Sequence, residues 1–123
     1  MQAPRRPCVR LCEWTALDPI DSRGLRWPEA TRFSHRAGST ADLFVVRRDA
    51  AVFAYENRCP HTGAPLDWAP HRFLDHEREF IQCAMHGALF EIETGRCVHG
   101  PCAGQRLKSV PVRIEADWVV LAG

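Results

Sequence analysis

The sequence predicts an all-β fold. Many short apolar or alternating runs are separated by turn-forming residues, no long stretch carries a 3.6-residue period, and no solenoid-type repeat is present. At 123 residues and 46% hydrophobic content the chain is expected to form a single domain over residues 1–123, large enough to fold without staples.

Taken in order, residues 9–17 alternate (Val9, Leu11, Glu13, Thr15 against Arg10, Cys12, Trp14, Ala16) and predict a short strand with mixed faces. Residues 18–38, punctuated by Pro19, Gly24, Pro28 and Gly38, predict a long connection with one short element at most. Residues 42–48 and 51–56, joined through Arg48, Asp49 and Ala50, predict a hairpin. Further strands are expected at 80–82, 89–92, 110–114 and 118–121, with turns at Glu93-Thr94-Gly95-Arg96 and Glu115-Ala116-Asp117.

Charge excludes several partner classes. Sixteen Lys and Arg against fifteen Asp and Glu leave a formal charge of +1, so no global field points to nucleic acid or to an anionic membrane. The apolar runs are far shorter than the roughly 20 residues that span a bilayer, and residues 1–10 lack the apolar core of a secretory signal. A cytoplasmic chain without membrane or nucleic-acid partners is expected. In that compartment six cysteines and six histidines point to metal or redox chemistry rather than to a disulfide framework.

Two local strings carry that chemistry. Cys59-Pro60-His61 and Cys83-Ala84-Met85-His86 each end in a glycine-containing loop, with residues 62–82 between them. Two thiols and two imidazoles in Cys-x-His and Cys-x-x-His form match the ligand set of a Rieske 2Fe-2S centre, in which cysteines hold one iron and histidines the other. Two ferric ions, two sulfides and four thiolates would make a dianion, whereas two neutral imidazoles in place of two thiolates leave the oxidised cluster neutral. An added electron is then less opposed, which fits the range of about −150 to +300 mV against about −400 mV for plant-type ferredoxins. The same four side chains could instead form a structural Cys2His2 zinc site, although the one-residue gap at Cys59-Pro60-His61 is tighter than in common zinc modules.

Through Cys59-Pro60-His61-Thr62-Gly63 and Cys83-Ala84-Met85-His86-Gly87-Ala88-Leu89-Phe90 the chain resembles the Rieske ferredoxin family. Asn57-Arg58 before the first string, Ala64-Pro65-Leu66 after it, Gly95 and Gly100-Pro101-Cys102 agree with the resemblance, which covers about the last two thirds of the chain. It implies three antiparallel sheets with a small cluster-binding subdomain, approximately residues 57–90. It also implies Cys59 and Cys83 on the buried iron, and His61 and His86 on the exposed one. The high-potential relatives carry an extra cysteine in each loop, forming a disulfide across the cluster, and a Ser and a Tyr hydroxyl directed at sulfur. Here Thr62-Gly63-Ala64 and Ala84 replace the cysteine positions, and Ala88 and Phe90 the hydroxyls. Hydrogen bonds to sulfur stabilise the reduced cluster, so the low-potential end of the range is expected.

The remaining cysteines read as small buried hydrophobes, although Cys8 with Cys12, and Cys97 with Cys102 around Gly100-Pro101, could cross-link or bind a second metal. His35, His71, His76 and His99 are expected to be solvated or structural, with Cys97-Val98-His99 a loop. Pro60, Pro65, Leu66, Trp68, Met85 and Leu89 are candidates to shield the cluster and line a docking patch. The implied function is a soluble one-electron carrier with one 2Fe-2S cluster per chain, passing electrons from a reductase to an oxygenase or other redox partner. No catalytic activity of its own is expected, because the chain is too short to add an oxygenase domain. A cluster-based redox or iron sensor is the alternative, together with the zinc domain.

Overall fold

The computed structural model describes residues 9–26, 41–60, 63–84 and 87–122. They form strands β1 (Arg10–Glu13), β2 (Ile20–Leu25), β3 (Leu43–Arg48), β4 (Ala51–Glu56), β5 (Phe80–Gln82), β6 (Leu89–Glu91), β7 (Cys97–His99), β8 (Val112–Glu115) and β9 (Trp118–Leu121). A 3-10 turn at Trp14–Ala16 follows β1. No α-helix occurs among the described residues, and none of their helices is long and apolar enough to cross a membrane. The strands make three antiparallel three-stranded sheets, ordered β1-β9-β8, β2-β3-β4 and β5-β6-β7, as the all-β expectation requires.

Strand β3 explains how one short chain supports two apolar clusters. Side chains alternate across a strand, and here both faces are apolar: Phe44 and Val46 join one cluster while Leu43 and Val45 join the other. All four are fully buried, so β3 is a wall shared between the two halves of the molecule. The Phe44 side packs against Phe73, with ring centroids 4.3 Å apart and nearly parallel, and continues to Phe90, Cys59 and Cys83. The opposite side is closed by Cys12, Leu17 and Val119.

The hairpin expected from residues 42–56 is present, with Arg48 opposite Ala51 and Asp49 at φ +53° in the connection. Asp is among the few residues that tolerate this left-handed conformation. At the second hairpin Ala116 and Asp117 both have positive φ (48° and 67°) between Glu115 and Trp118. That is the backbone a two-residue turn needs to match the twist of its strands.

Two elements differ from the expectation, and the short element allowed for in residues 18–38 takes definite form. The strand predicted over residues 9–17 stops at Glu13, where the chain enters the 3-10 turn. Within the connection predicted over 18–38, of which residues 27–38 lie outside the described residues, the short element is the six-residue β2, paired along its whole length with β3 from Ile20 opposite Arg48 to Leu25 opposite Leu43. Its glycine is not punctuation but a close approach: a Cβ on Gly24 would lie 2.9 Å from the Ala41 Cβ and 3.2 Å from the Phe73 ring. Finally, Cys97-Val98-His99 is strand β7, antiparallel to β6, rather than loop.

Candidate metal centre

The two cysteine strings sit at the ends of strands in different sheets. β4 runs into the first through Asn57, and β5 runs directly into Cys83. The two loops close by the same pair of backbone hydrogen bonds. In the first, the Cys59 amide donates to the Ala64 carbonyl (2.8 Å) and the Cys59 carbonyl accepts from Gly63 (2.7 Å). In the second, the Cys83 amide donates to the Ala88 carbonyl (2.9 Å) and the Cys83 carbonyl accepts from Gly87 (3.0 Å). Gly63 and Gly87 adopt φ of +76° and +66°, so each loop turns back through a left-handed residue at the same place.

A direct strap joins the loops: the Ala84 amide donates to the Leu66 carbonyl at 3.0 Å. Leu66 is itself held by Asn57, whose Oδ1 accepts the Leu66 amide at 2.7 Å while Nδ2 donates to the Ala41 carbonyl and to Asp67 Oδ1. The Asn57 amide donates to the Asp42 carbonyl, which ties the base of the first loop to the start of β3. A buried amide side chain with this many partners is a positioning residue for the loop. Sequence reasoning noted Asn57 only as a flank, and a lone short polar residue between a strand and a cysteine string was the available signal.

Both thiols are buried at 1% exposure and belong to the same apolar cluster. Their neighbours Arg58 and Ala84 are exposed, so the sulfurs lie just beneath the surface. A third wall comes from the turn after β7. Gly100 approaches the second loop so closely that a Cβ there would lie 2.9 Å from the Ala88 Cα. Cys102 in this turn meets Cys97 at the start of β7; both are buried in the same cluster with their sulfurs 3.1 Å apart. Cys102 donates to Cys97, and Cys97 donates to the His99 carbonyl at 3.3 Å. Burial first, and then the neighbouring thiols of Cys97 and Cys59, push the Cys102 pKa up to about 12.

Of the sequence-predicted ligands, Cys59 and Cys83 are thus brought into one core on matched loops. His61 and His86 lie outside the described residues, as do Cys8, His35 and Met85. His71 is structural: its Nδ1 accepts the Gly24 amide at 3.1 Å. His76 and His99 are exposed. Of the residues expected to shield the site, Leu66 is fully buried core, whereas Trp68 is 51% exposed with its Nε1 donating to the Leu74 carbonyl and Arg72 over its ring. The donor chemistry fits an iron–sulfur group: two soft thiols are buried, and each of their loops brings a histidine within three residues of its cysteine in sequence.

The family model of the Rieske [2Fe-2S] domain matches residues 22–112. The ferredoxin component of a naphthalene 1,2-dioxygenase system from Pseudomonas aeruginosa is 30% identical over 80 residues, 65% of this chain and 71% of that protein. A cholesterol 7-desaturase from Caenorhabditis elegans is 37% identical over 60 residues, 48% of this chain but only 13% of the larger protein. Among solved structures, the Sphingomonas yanoikuyae B1 ferredoxin superposes with a TM-score of 0.64 at 26% identity, covering 94% of this chain and 98% of that one.

Proposed function

The chain belongs to the Rieske [2Fe-2S] domain family, whose cofactor is a 2Fe-2S cluster, and from that membership we propose that it works as a one-electron carrier. In this reading residues 1–123 form a single Rieske domain, with the cluster-binding part at approximately 57–90. Cys59 and Cys83 would hold one iron as thiolates, and His61 and His86 would hold the other as neutral imidazoles. When bound, the cluster supplies a one-electron couple. The chain's own residues supply the frame: the Cys59–Ala64 and Cys83–Ala88 hydrogen bonds fix the two loops, the Ala84–Leu66 bond joins them, and the apolar core keeps water from the sulfurs.

The observation that carries the proposal is the pair of identically closed loops, each burying one thiol in a common core. Because a ferredoxin component of a dioxygenase system is among the relatives, the partners proposed are a reductase as donor and an oxygenase-type protein as acceptor, in the cytoplasm. Ala88 and Phe90 stand where hydroxyls would otherwise donate to sulfur, which supports a midpoint at the low end of the Rieske range.

The test is an EPR spectrum of the dithionite-reduced protein beside iron, sulfide and zinc analysis. Two irons and two sulfides per chain, with a rhombic signal of low average g, are the expected result. A colourless, EPR-silent protein holding one zinc would overturn it. Rapid reduction by a ferredoxin reductase followed by turnover of an oxygenase separates a carrier from a sensor.

A further inference from the structure

We propose that Cys97 and Cys102 are a reversible dithiol–disulfide couple, a redox modification site in the wall beside the second cysteine loop. The geometry is set by backbone, not by side-chain chance. The Cys97 amide donates to the Gln105 carbonyl at 2.8 Å, its carbonyl accepts from Gly104 at 3.2 Å, and the Cys102 carbonyl accepts from Gln105 at 2.9 Å. These bonds fold residues 97–105 into a closed loop that places the two sulfurs 3.1 Å apart, so they need approach by only about 1 Å to reach the bonded distance of about 2.05 Å. Both sulfurs are buried, yet Val98, His99, Pro101, Ala103 and Gly104 around them are exposed, so the pair lies one residue below the surface. A small opening of the turn admits a small oxidant.

The oxidant is a low-molecular-weight disulfide. One protein thiolate attacks a sulfur of that disulfide, forming a mixed disulfide and releasing one small thiol. With the turn open to water, burial no longer holds the Cys102 proton; the proton passes to solvent, and the Cys102 thiolate attacks the Cys97 sulfur of the mixed disulfide and releases the other. Two protein thiols lose two protons and two electrons, and the small disulfide becomes two thiols. The product ties β7 covalently to the turn that rests on Ala88, so the thiol status of the surroundings stiffens or frees this wall. The inference does not depend on what Cys59 and Cys83 hold.

The experiment uses the purified protein with its visible absorbance recorded throughout. After removal of reductant it is exposed to oxidised glutathione under nitrogen, alkylated with iodoacetamide and cut with trypsin, which cleaves after Arg96 and Arg106 and leaves both cysteines in one peptide. Expected is a peptide 97–106 lighter by two hydrogens, without alkyl groups, returning to the doubly alkylated form after reductant. Doubly alkylated peptide, a glutathione adduct without internal closure, or a cross-link to Cys59 or Cys83 would overturn the proposal. Cys102→Ser is expected to lose the two-hydrogen shift and keep glutathione on Cys97; a shift persisting in that variant also overturns it. Internal closure in a protein without cluster absorbance would sink the carrier reading alone, and no closure in a protein that has it would sink this inference alone.

Discussion

The Leu66 amide donates to Asn57 Oδ1 at 2.7 Å, and the Leu66 carbonyl in turn accepts from Ala84. One peptide unit after another thus carries order from the end of β4 across to the second cysteine loop. Removing the Asn57 side chain strips the buried Leu66 amide of its acceptor, at a cost of about 2–3 kcal/mol. Asn57→Ala is therefore expected to lower the unfolding free energy measured in urea by that amount and to speed bleaching of the cluster by a chelator. Asn57→Asp keeps the acceptor but sets a carboxylate against Asp67, so it is not expected to rescue. A change below about 0.5 kcal/mol, the level of an ordinary surface substitution, would contradict this.

Gly87 and Gly100 separate two costs of adding a Cβ. At Gly87, φ is +66° but the nearest atom to a Cβ is the end of the Gln82 side chain at 3.9 Å, so Gly87→Ala carries only the left-handed penalty of about 1–2 kcal/mol. At Gly100, φ is +109° and a Cβ meets the Ala88 backbone at 2.9 Å, which cannot give way without moving the second loop. Gly100→Ala is expected to be clearly the worse of the two in thermal unfolding and in iron content.

Tyr55 links two sheets by donating to the Ile92 carbonyl at 2.6 Å. Its pKa is pushed up to about 12 by burial first and by Glu93 second. The unfolded chain releases this proton near pH 10 and the folded chain only near 12, so the stabilisation is whole below 10 and is lost as pH rises from 10 to 12. Tyr55→Phe should be less stable at pH 8 by about 1 kcal/mol, the worth of one hydrogen bond, and should fall less steeply than the parent above pH 10. Urea titrations at pH 8, 10 and 11 check both signs.

Phe90 is fully buried and Ala88 is 1% exposed, so a hydroxyl introduced at either place lies in the apolar cluster that also holds Cys59 and Cys83 rather than in water. Ala88→Ser and Phe90→Tyr are each expected to raise the midpoint potential. A donor that favours the reduced state by about 1 kcal/mol shifts a one-electron couple by about 40 mV. A redox titration showing a fall, or no change in either variant, would refute the assignment of these positions.

The all-β architecture was legible because β3, β4 and β9 are strongly apolar, and the cysteine loops because their spacing is specific. The short element within residues 18–38 could not be placed as strand β2 because Ile20-Asp21-Ser22-Arg23-Gly24-Leu25 has apolar residues only at its ends; register with β3, not its own side chains, makes it a strand. β7 is three residues long, too short for periodicity to register, and is defined by its pairing with β6. The pairing of Cys97 with Cys102 was legible as one option because the two flank the Gly100-Pro101 turn, whereas the central place of Asn57 depends on how the chain folds back on itself, which local spacing does not encode.

The sheet β1-β9-β8 sets Arg10 opposite Val120, joining parts of the chain that are far apart in sequence, whereas β2 to β4 and β5 to β7 pair near neighbours. Closing so long a loop is entropically slow. The two locally paired sheets can therefore form first, and the pairing of β1 with β9, which brings the two ends of the described chain together, is the step expected to close last.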